Sequence, residues 1–287
     1  MAFIHSQREQ YPLQVLCRVL QVSRSGYYAW RRRGLSQRAQ ANARLLVAIK
    51  QAHKDSRETY GSPRVHQVLL RQGQRCGRHR VARLMRLAEL RGVPRRKFVR
   101  TTQRAAEEAR VPDRLQRDFS ASAPNQKWVS DITYIATQEG WLYLATVLDL
   151  YSRRIVGWAM AAHMRAELVR DALQMAYVQR GAPKELIYHS DRGGQYSSAL
   201  VQDWLTEHGL LASMGSTGDC YDNAVAESFF STLKRECVAG ECFPTRRAAR
   251  SAIFDFMETF YNRQRLHSTL GYQSPLDFEN QSGTPLT

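Results

Sequence analysis

The run Lys127-Trp-Val-Ser-Asp-Ile-Thr-Tyr-Ile135 decides the fold. Aromatic and β-branched residues dominate it, the composition of a half-buried strand. Leu142 to Asp149 and Arg154 to Met160 repeat that composition across short turns, so three consecutive strands in a meander are expected. Beyond them the pattern predicts a helix from about Arg165 to Gln179, a strand ending at Asp191, a helix from Ser198 to His208 and a short strand from Leu210 to Met214. The order β-β-β-α-β-α-β makes this an α/β region with a mixed five-stranded sheet flanked by helices. Two helices then close the chain.

Upstream of that region the charge changes sign. The chain has 287 residues and a formal net charge of +16, but residues 1–124 carry 27 Lys or Arg against 8 Asp or Glu, and residues 125–287 carry 15 against 18. A basic half at +19 beside a nearly neutral one at −3 points to a polyanionic partner held mainly by the first half. A chain of this length accommodates two or three folding units.

The basic half reads as helical. Leu13, Leu16, Cys17 and Leu20 recur at helical spacing before a break at Ser23 to Gly26, where a second short helix can start. Tyr27, Tyr28 and Trp30 followed by Arg31, Arg32 and Arg33 give a helix-turn-helix-like pattern, which equally fits a helical hairpin whose aromatics close a small core. Leu45, Leu46 and Ile49 form one apolar stripe, and Ser62-Pro63 opens the next helix. From Arg78 to Arg91, Val81, Leu84, Met85 and Ala88 share a face, with Arg80, Arg83 and Arg86 largely elsewhere. In a half this basic, phosphate contact is the favoured role of those arginines.

The resulting organisation is a helix-turn-helix-like segment over 1–38, a basic helical domain suited to a polyanion over 39–94, a linker over 95–124, the α/β core over 125–240 and a C-terminal helical extension over 241–287. No run of 18 apolar residues and no leader pattern exists, so a cytoplasmic protein without membrane attachment is expected. Five cysteines (Cys17, Cys76, Cys220, Cys237, Cys242) form no C-x-x-C. Cys76 and His79 come nearest to a zinc half-site, but no matching half-site exists and the cysteines read as small buried apolar residues.

Three acids carry the chemistry. Asp131 lies inside the first strand, Asp191 ends the fourth and Glu227 sits in a helical run from Asp222 to Glu236. If strands one and four are neighbours, both aspartates reach one sheet edge and the helix supplies the third carboxylate. Hard divalent ions take oxygen ligands, and a two-ion phosphoryl-transfer site shares carboxylates between ions about 3.5–4 Å apart. After Asp191, Gly193 and Gly194 let the backbone pass close to a ligand, with Arg192 beside them. On the helix, Asn223, Phe230, Ser231 and Lys234 share the face of Glu227, which places Lys234 to meet a phosphate. Glu236 is about half a turn out of phase and is set aside. Asp149, before a Tyr-Ser-Arg turn, reads as a turn cap. His189 and His267 read as packing histidines, and Trp128, Trp141, Trp158 and Trp204 as core. The Tyr261 to Arg265 run, with Arg263 and Arg265, is an expected contact to the DNA backbone.

The strings Trp128-Val-Ser-Asp-Ile-Thr-Tyr, Asp149-Leu-Tyr-Ser-Arg-Arg-Ile-Val-Gly-Trp, His189-Ser-Asp-Arg-Gly-Gly-Gln-Tyr, Asp222-Asn-Ala-Val-Ala-Glu-Ser-Phe-Phe and Tyr261-Asn-Arg-Gln-Arg-Leu-His-Ser-Thr-Leu-Gly-Tyr resemble bacterial insertion-sequence transposases with a retroviral-integrase-like core. The resemblance is to the second-reading-frame product of the IS-three family and covers nearly the whole chain. Asp191 and Glu227 have 35 residues between them, the interval of that family's D-D-E signature.

The resemblance implies an RNase H-like fold, with Asp131, Asp191 and Glu227 as catalytic and metal-holding residues. It implies Mg²⁺ or Mn²⁺, two ions per site, and cleavage and joining of double-stranded element ends and target. It further implies a homo-oligomer on DNA, an upstream-frame product as fusion or partner, and a bacterial, nucleoid-associated location. Arg31, Arg32, Arg80, Arg83, Arg192, Gly193, Gly194, Asn223, Lys234, Arg263 and Arg265 are the expected DNA contacts. Two other classes use the same features: a DNA-binding regulator without chemistry, and an RNase H-like nuclease that only hydrolyses.

Overall fold

A computed structural model describes residues 1–34, 36–94, 111–215, 223–239 and 242–282. The chain divides into two compact units, Met1–Gly92 and Val93–Thr287.

The first unit is all helical: α1 (Ala2–Gln7), α2 (Leu13–Val19), α3 (Arg24–Arg32), α4 (Gln37–Asp55), α5 (Ser62–Arg71) and α6 (Arg78–Leu87). α3 starts at the expected break because the Ser23 hydroxyl accepts the Gly26 N–H at 3.0 Å, a serine N-cap. Ile4, Cys17 and Tyr27 close a small core, so Tyr27 follows the hairpin reading, while Tyr28 and Trp30 stay exposed. Ser36 caps α4 in the same way, accepting from Ala39 N–H at 3.2 Å. Leu45, Ile49, Val65, Leu69, Val81, Leu84 and Met85 are buried where α4, α5 and α6 pack together. α6 is shorter than expected and ends at Leu87; Glu89 takes a positive φ of 57° just beyond it.

The second unit is built on β1 (Lys127–Thr137), β2 (Gly140–Asp149), β3 (Ile155–Ala161), β4 (Ile187–Ser190) and β5 (Leu211–Met214), in the sheet order β3-β2-β1-β4-β5. β1, β2 and β3 are the antiparallel meander, and β4 and β5 add in parallel. α7 (Ala166–Gln179) and α8 (Ala199–Glu207) make the crossovers that parallel strands require. The alternation of side chains sorts the two faces. Trp128, Ala145, Val147 and Val156 join Leu168, Val169, Ala172 and Leu173 of α7 and Val201 and Leu205 of α8 in one core. Residues of the other parity, such as Val129, Ile135, Leu142 and Leu144, are buried outside that cluster, where α9 (Ala224–Leu233) and α10 (Arg246–Phe254) meet β1 and β2. Gly157 allows the close seat of α7, since a Cβ there would stand 2.3 Å from the Ala172 carbonyl oxygen and 2.6 Å from the Ala176 Cβ.

Among the described residues, three α-helices and a short 3-10 turn (Ser268–Leu270), not two helices, follow β5. α9 widens into a π turn over Lys234–Val238, α10 into another over Asp255–Tyr261, and α11 (Pro275–Ser282) ends the described chain. Asn262 pairs its side chain with the outer edge of β3, accepting from Ile155 N–H and donating to Ile155 O, both at 3.0 Å. A side chain thereby satisfies an edge that backbone pairing leaves open.

The expected linker also needs revision over its second part; residues 95–110 lie outside the described residues. From Val111 onward the chain is docked on the sheet: Met214 N–H donates to Pro112 O, Arg114 N–H to Ser213 Oγ, and Leu115 is buried. No helix among the described residues is long and apolar enough to cross a membrane.

Candidate active site

The strand register brings the two aspartates together. β1 and β4 pair in parallel from Lys127↔Ile187 to Val129↔His189, and each aspartate lies two residues past the last pair, at the same level. From Asp131 to Ala136 the β4 side of β1 carries no strand pairing among the described residues, which leaves an open notch beside Asp131 that ends at the Thr137–Phe243 bridge. α9 is fastened there by Asn223, whose Nδ2 donates to Ser130 O at 3.1 Å. One turn further on, Glu227 stands near enough for its charge to act on Asp131.

Electrostatics register the convergence. Burial raises the Asp131 carboxyl to about 8; the Asp191 charge adds to this, then the Glu227 charge, while the Ile132 N–H and the Lys234 ammonium oppose it. Burial also raises Asp191, against the Gly193 N–H and the His189 charge, and it raises Glu227. Lys234 is lowered by burial and held up by Asp131. Two carboxylates that raise the proton affinity of a third beside one ammonium form a site short of positive charge.

The loop after β4 is set by Asp191 itself. Its Oδ1 accepts the Gly193 N–H at 3.0 Å, and a Cβ at Gly193 would press on that oxygen at 3.1 Å. A Cβ at Gly194 would meet nothing within 4 Å. Arg192 turns its Nε to Gly215 O at 2.6 Å, which ties the loop to the end of β5. Asp131 Oδ1 accepts the Ile132 N–H at 2.7 Å. Below the aspartates, Tyr196 is fully buried with its hydroxyl 3.2 Å from Ser130 Oγ.

An oxygen-only donor set fits hard divalent ions. Among the described residues no group of three or more His, Cys, Asp or Glu is gathered at metal-ligand spacing. The acids are therefore coupled by charge, and their side chains would have to close further around an ion. Bound cations would lower the raised proton affinities, which is the sense in which this cluster suits them.

A pH dependence follows. Asp131 binds its proton more tightly folded than unfolded, so its contribution to stability is fully present below the ordinary carboxylate range. That contribution is lost as pH rises towards about 8. Metal-free protein is expected to melt at falling temperature across that window, and added Mg²⁺ to restore more at its upper end than at its lower end. Thermal unfolding at several pH values with and without Mg²⁺ checks this; equal Mg²⁺ shifts throughout would contradict it.

Several expected DNA contacts are placed elsewhere. Arg265 is buried and donates to both Glu236 oxygens at 2.7 Å, so it is not a phosphate contact; Asn262 of the same run holds β3, and Arg263 is exposed. Asn223 is likewise buried, because it is spent on fastening α9 to β1. Arg80 gives its Nε to Asn42 Oδ1 at 2.8 Å, bracing α6 on α4, while Arg83, Arg31 and Arg32 are exposed. Lys234 is exposed near the acids, with its ammonium 5.1 Å from the centre of the Tyr134 ring. Trp141 is not core: it is 49% exposed, because the β1–β2 hairpin runs past the cover of α7. Trp128, Trp158 and Trp204 are buried or partly buried.

Asp149 is a turn cap, fully buried and accepting from Asn125 N–H, Tyr151 N–H and Trp128 Nε1. His189 packs against Ser213, with Nδ1 2.9 Å from its Oγ. The Cys76 carbonyl accepts from His66 Nε2 at 2.8 Å. Cys220 and Asp222 lie outside the described residues. The neighbour that sequence reading passed over is Tyr134, an exposed aromatic whose ring centre lies 5.1 Å from the Lys234 ammonium. Its signal was an aromatic three residues past Asp131, on the parity of Trp128.

Family models agree with this construction. The chain matches the Integrase core domain over residues 121–220 and again over 227–282, and an HTH-like domain over residues 40–98. Fold and domain content define an RNase H-like, DDE-type polynucleotidyl transferase. It is similar to the transposase InsF for insertion sequence IS3A of Escherichia coli (strain K12), 45% identical over 282 residues and 98% of both chains. It is also similar to the insertion element IS600 uncharacterized 31 kDa protein of Shigella sonnei, 46% identical over 266 residues, 93% of this chain and 98% of that one. The chain belongs to the IS3 family of insertion-sequence transposases. Among solved structures it is similar to the HTLV-2 integrase catalytic core domain in complex with magnesium, in its trimeric form. There the identity is 15%, the TM-score 0.43, and the coverage 56% of this chain and 99% of that one.

Proposed function

We propose that Asp131, Asp191 and Glu227 are the catalytic carboxylates of a DNA transposase, holding divalent ions, Mg²⁺ or Mn²⁺, for cleavage and strand transfer of element ends. The observation that carries the reading is the equal level of Asp131 and Asp191 past the last β1–β4 pair, with the Asp191 and Glu227 charges both raising the Asp131 carboxyl beside an exposed lysine. Two ions bound there would activate first a water and then a DNA 3′-hydroxyl and stabilise the leaving oxygen. Asp131 and Asp191, fixed at equal register, would hold that charge from the sheet, and Glu227 from α9. Lys234 would neutralise a neighbouring phosphate, and the Gly193–Gly194 loop lets the strand approach the acids closely. No covalent protein–DNA intermediate is needed.

The decisive experiment incubates the full chain with labelled duplex carrying the element's terminal repeat and Mg²⁺, and separates joined from merely nicked products. Joined strands support transposition; nicked product alone identifies a nuclease; neither product, with DNA still bound, identifies a regulator.

The helical unit, with exposed Arg31, Arg32 and Arg83, supplies phosphate contacts, and a homo-oligomer on DNA or an upstream-frame partner completes end recognition. The DNA duplex is the polyanion that places the protein on the nucleoid. Affinity is expected to fall linearly with the logarithm of salt, and Arg83→Ala to reduce the slope by about one unit without changing sequence preference. Filter binding over a salt series checks it; an unchanged slope removes Arg83 from the interface.

A further inference from the structure

The β1–β2 hairpin leaves two large aromatics exposed on the face of β1 that also carries Trp128, and Lys234 links them to the acids. Tyr134 pairs with Tyr143 and Ala136 with Trp141 across the strands, so Tyr134 and Trp141 are diagonal neighbours on the same side. They are 55% and 49% exposed, with ring centroids 4.9 Å apart and planes at 80°. Such exposure of two aromatics is costly in water and marks a contact surface. Cations stand on both flanks. The Lys234 ammonium lies 5.1 Å from the Tyr134 ring centre, and Arg246 of α10 donates its Nε to Trp141 O at 3.0 Å. Tyr134 follows Asp131 by three residues, about 10 Å along the strand and on its other face, and Lys234 joins the two across the open edge of β1, its ammonium over the Tyr134 ring and its charge acting on Asp131.

We propose that Tyr134 and Trp141 form a stacking shelf for an unpaired base of the DNA strand whose phosphate lies at the carboxylates. The inference rests on the strand-transfer reading above and names what that site holds beside the phosphate. Aromatic faces interleaved with cations are what single-stranded nucleic acid binds, because every base has a π face and every linkage a negative charge. A second copy of the chain is the less suited occupant, since the buried centres of protein interfaces are depleted of charge, and here an ammonium sits over the ring. Unpairing also serves the chemistry, because a base withdrawn onto the shelf lets its backbone bend into the notch between the last β1–β4 pair and the Thr137–Phe243 bridge.

The test uses the full chain in metal-free buffer, so no cleavage is required. The probes are a fully paired duplex and the same duplex with an unpaired tail carrying a fluorescent adenine analogue. Wild-type protein is expected to prefer the tailed duplex and to quench the analogue. Trp141→Ala and Tyr134→Ala should each reduce that preference about tenfold, and Trp141→Phe should keep most of it. An absent preference in the wild type, or one unchanged in both alanine variants, overturns the proposal. So does an unchanged preference in Trp141→Ala together with a fall in oligomeric state by light scattering, which would give the face to a second copy. Activity retained by carboxylate variants would defeat the catalytic reading without altering this measurement, so the two can fail separately.

Discussion

Asp131→Asn is expected to yield a folded protein that neither cuts nor joins DNA, with activity down at least about a thousandfold, the scale on which removal of one preorganised transition-state contact acts. The substitution keeps the shape of the side chain and its place at the end of the β1–β4 register, and removes one unit of negative charge. That charge is the one most raised in proton affinity by burial and by its neighbours. Two consequences separate lost chemistry from lost folding. Above about pH 8 the metal-free variant should melt no lower than the wild type, since Asp191 and Glu227 then face a neutral amide in place of a third carboxylate. The stabilisation by Mg²⁺ should shrink with it, because the donor set has lost a charged oxygen. Thermal unfolding beside the end-cleavage assay reads all three quantities. Full cleavage by Asp131→Asn removes this residue from the site, and a large drop in melting temperature assigns it to folding instead.

How much of this was legible before the structure depended on which interactions are local. The meander, its crossovers and the placement of Asp131 and Asp191 follow from strand composition and the side-chain alternation of single segments. The separation of Glu227 from Glu236 followed from helical phase, although α9 gives way to a π turn at Lys234. Tertiary partners were not legible. Arg263 and Arg265 look alike in sequence, yet one is exposed and the other is closed over by Glu236, 29 residues away. Asn223 reads as a polar face residue until β1 presents the Ser130 carbonyl to it. Trp141 reads as core because tryptophan in a strand usually is; its exposure depends on where α7 stops covering the hairpin.

The largest expected effect on stability is at Arg265. Its guanidinium and the Glu236 carboxylate are each 4% exposed and joined by two bonds of 2.7 Å. Arg265→Ala leaves a desolvated carboxylate without its guanidinium, a change that costs about 3–5 kcal/mol. For a unit of this size that lowers the melting temperature by roughly 10 °C. Replacing the pair by apolar side chains of similar volume, Glu236→Met with Arg265→Leu, should recover most of the loss, because the penalty lies in burying the carboxylate without this guanidinium more than in the missing attraction. Arg263→Ala, at an exposed position two residues away, should stay within about 0.5 kcal/mol of the parent. The contrast carries over to DNA. If Arg265 acts by holding the turn that follows α9, the double variant binds and cuts DNA as the parent does, since Glu227 and Lys234 regain their seat. A double variant that is stable yet loses salt-dependent binding would return Arg265 to the DNA interface.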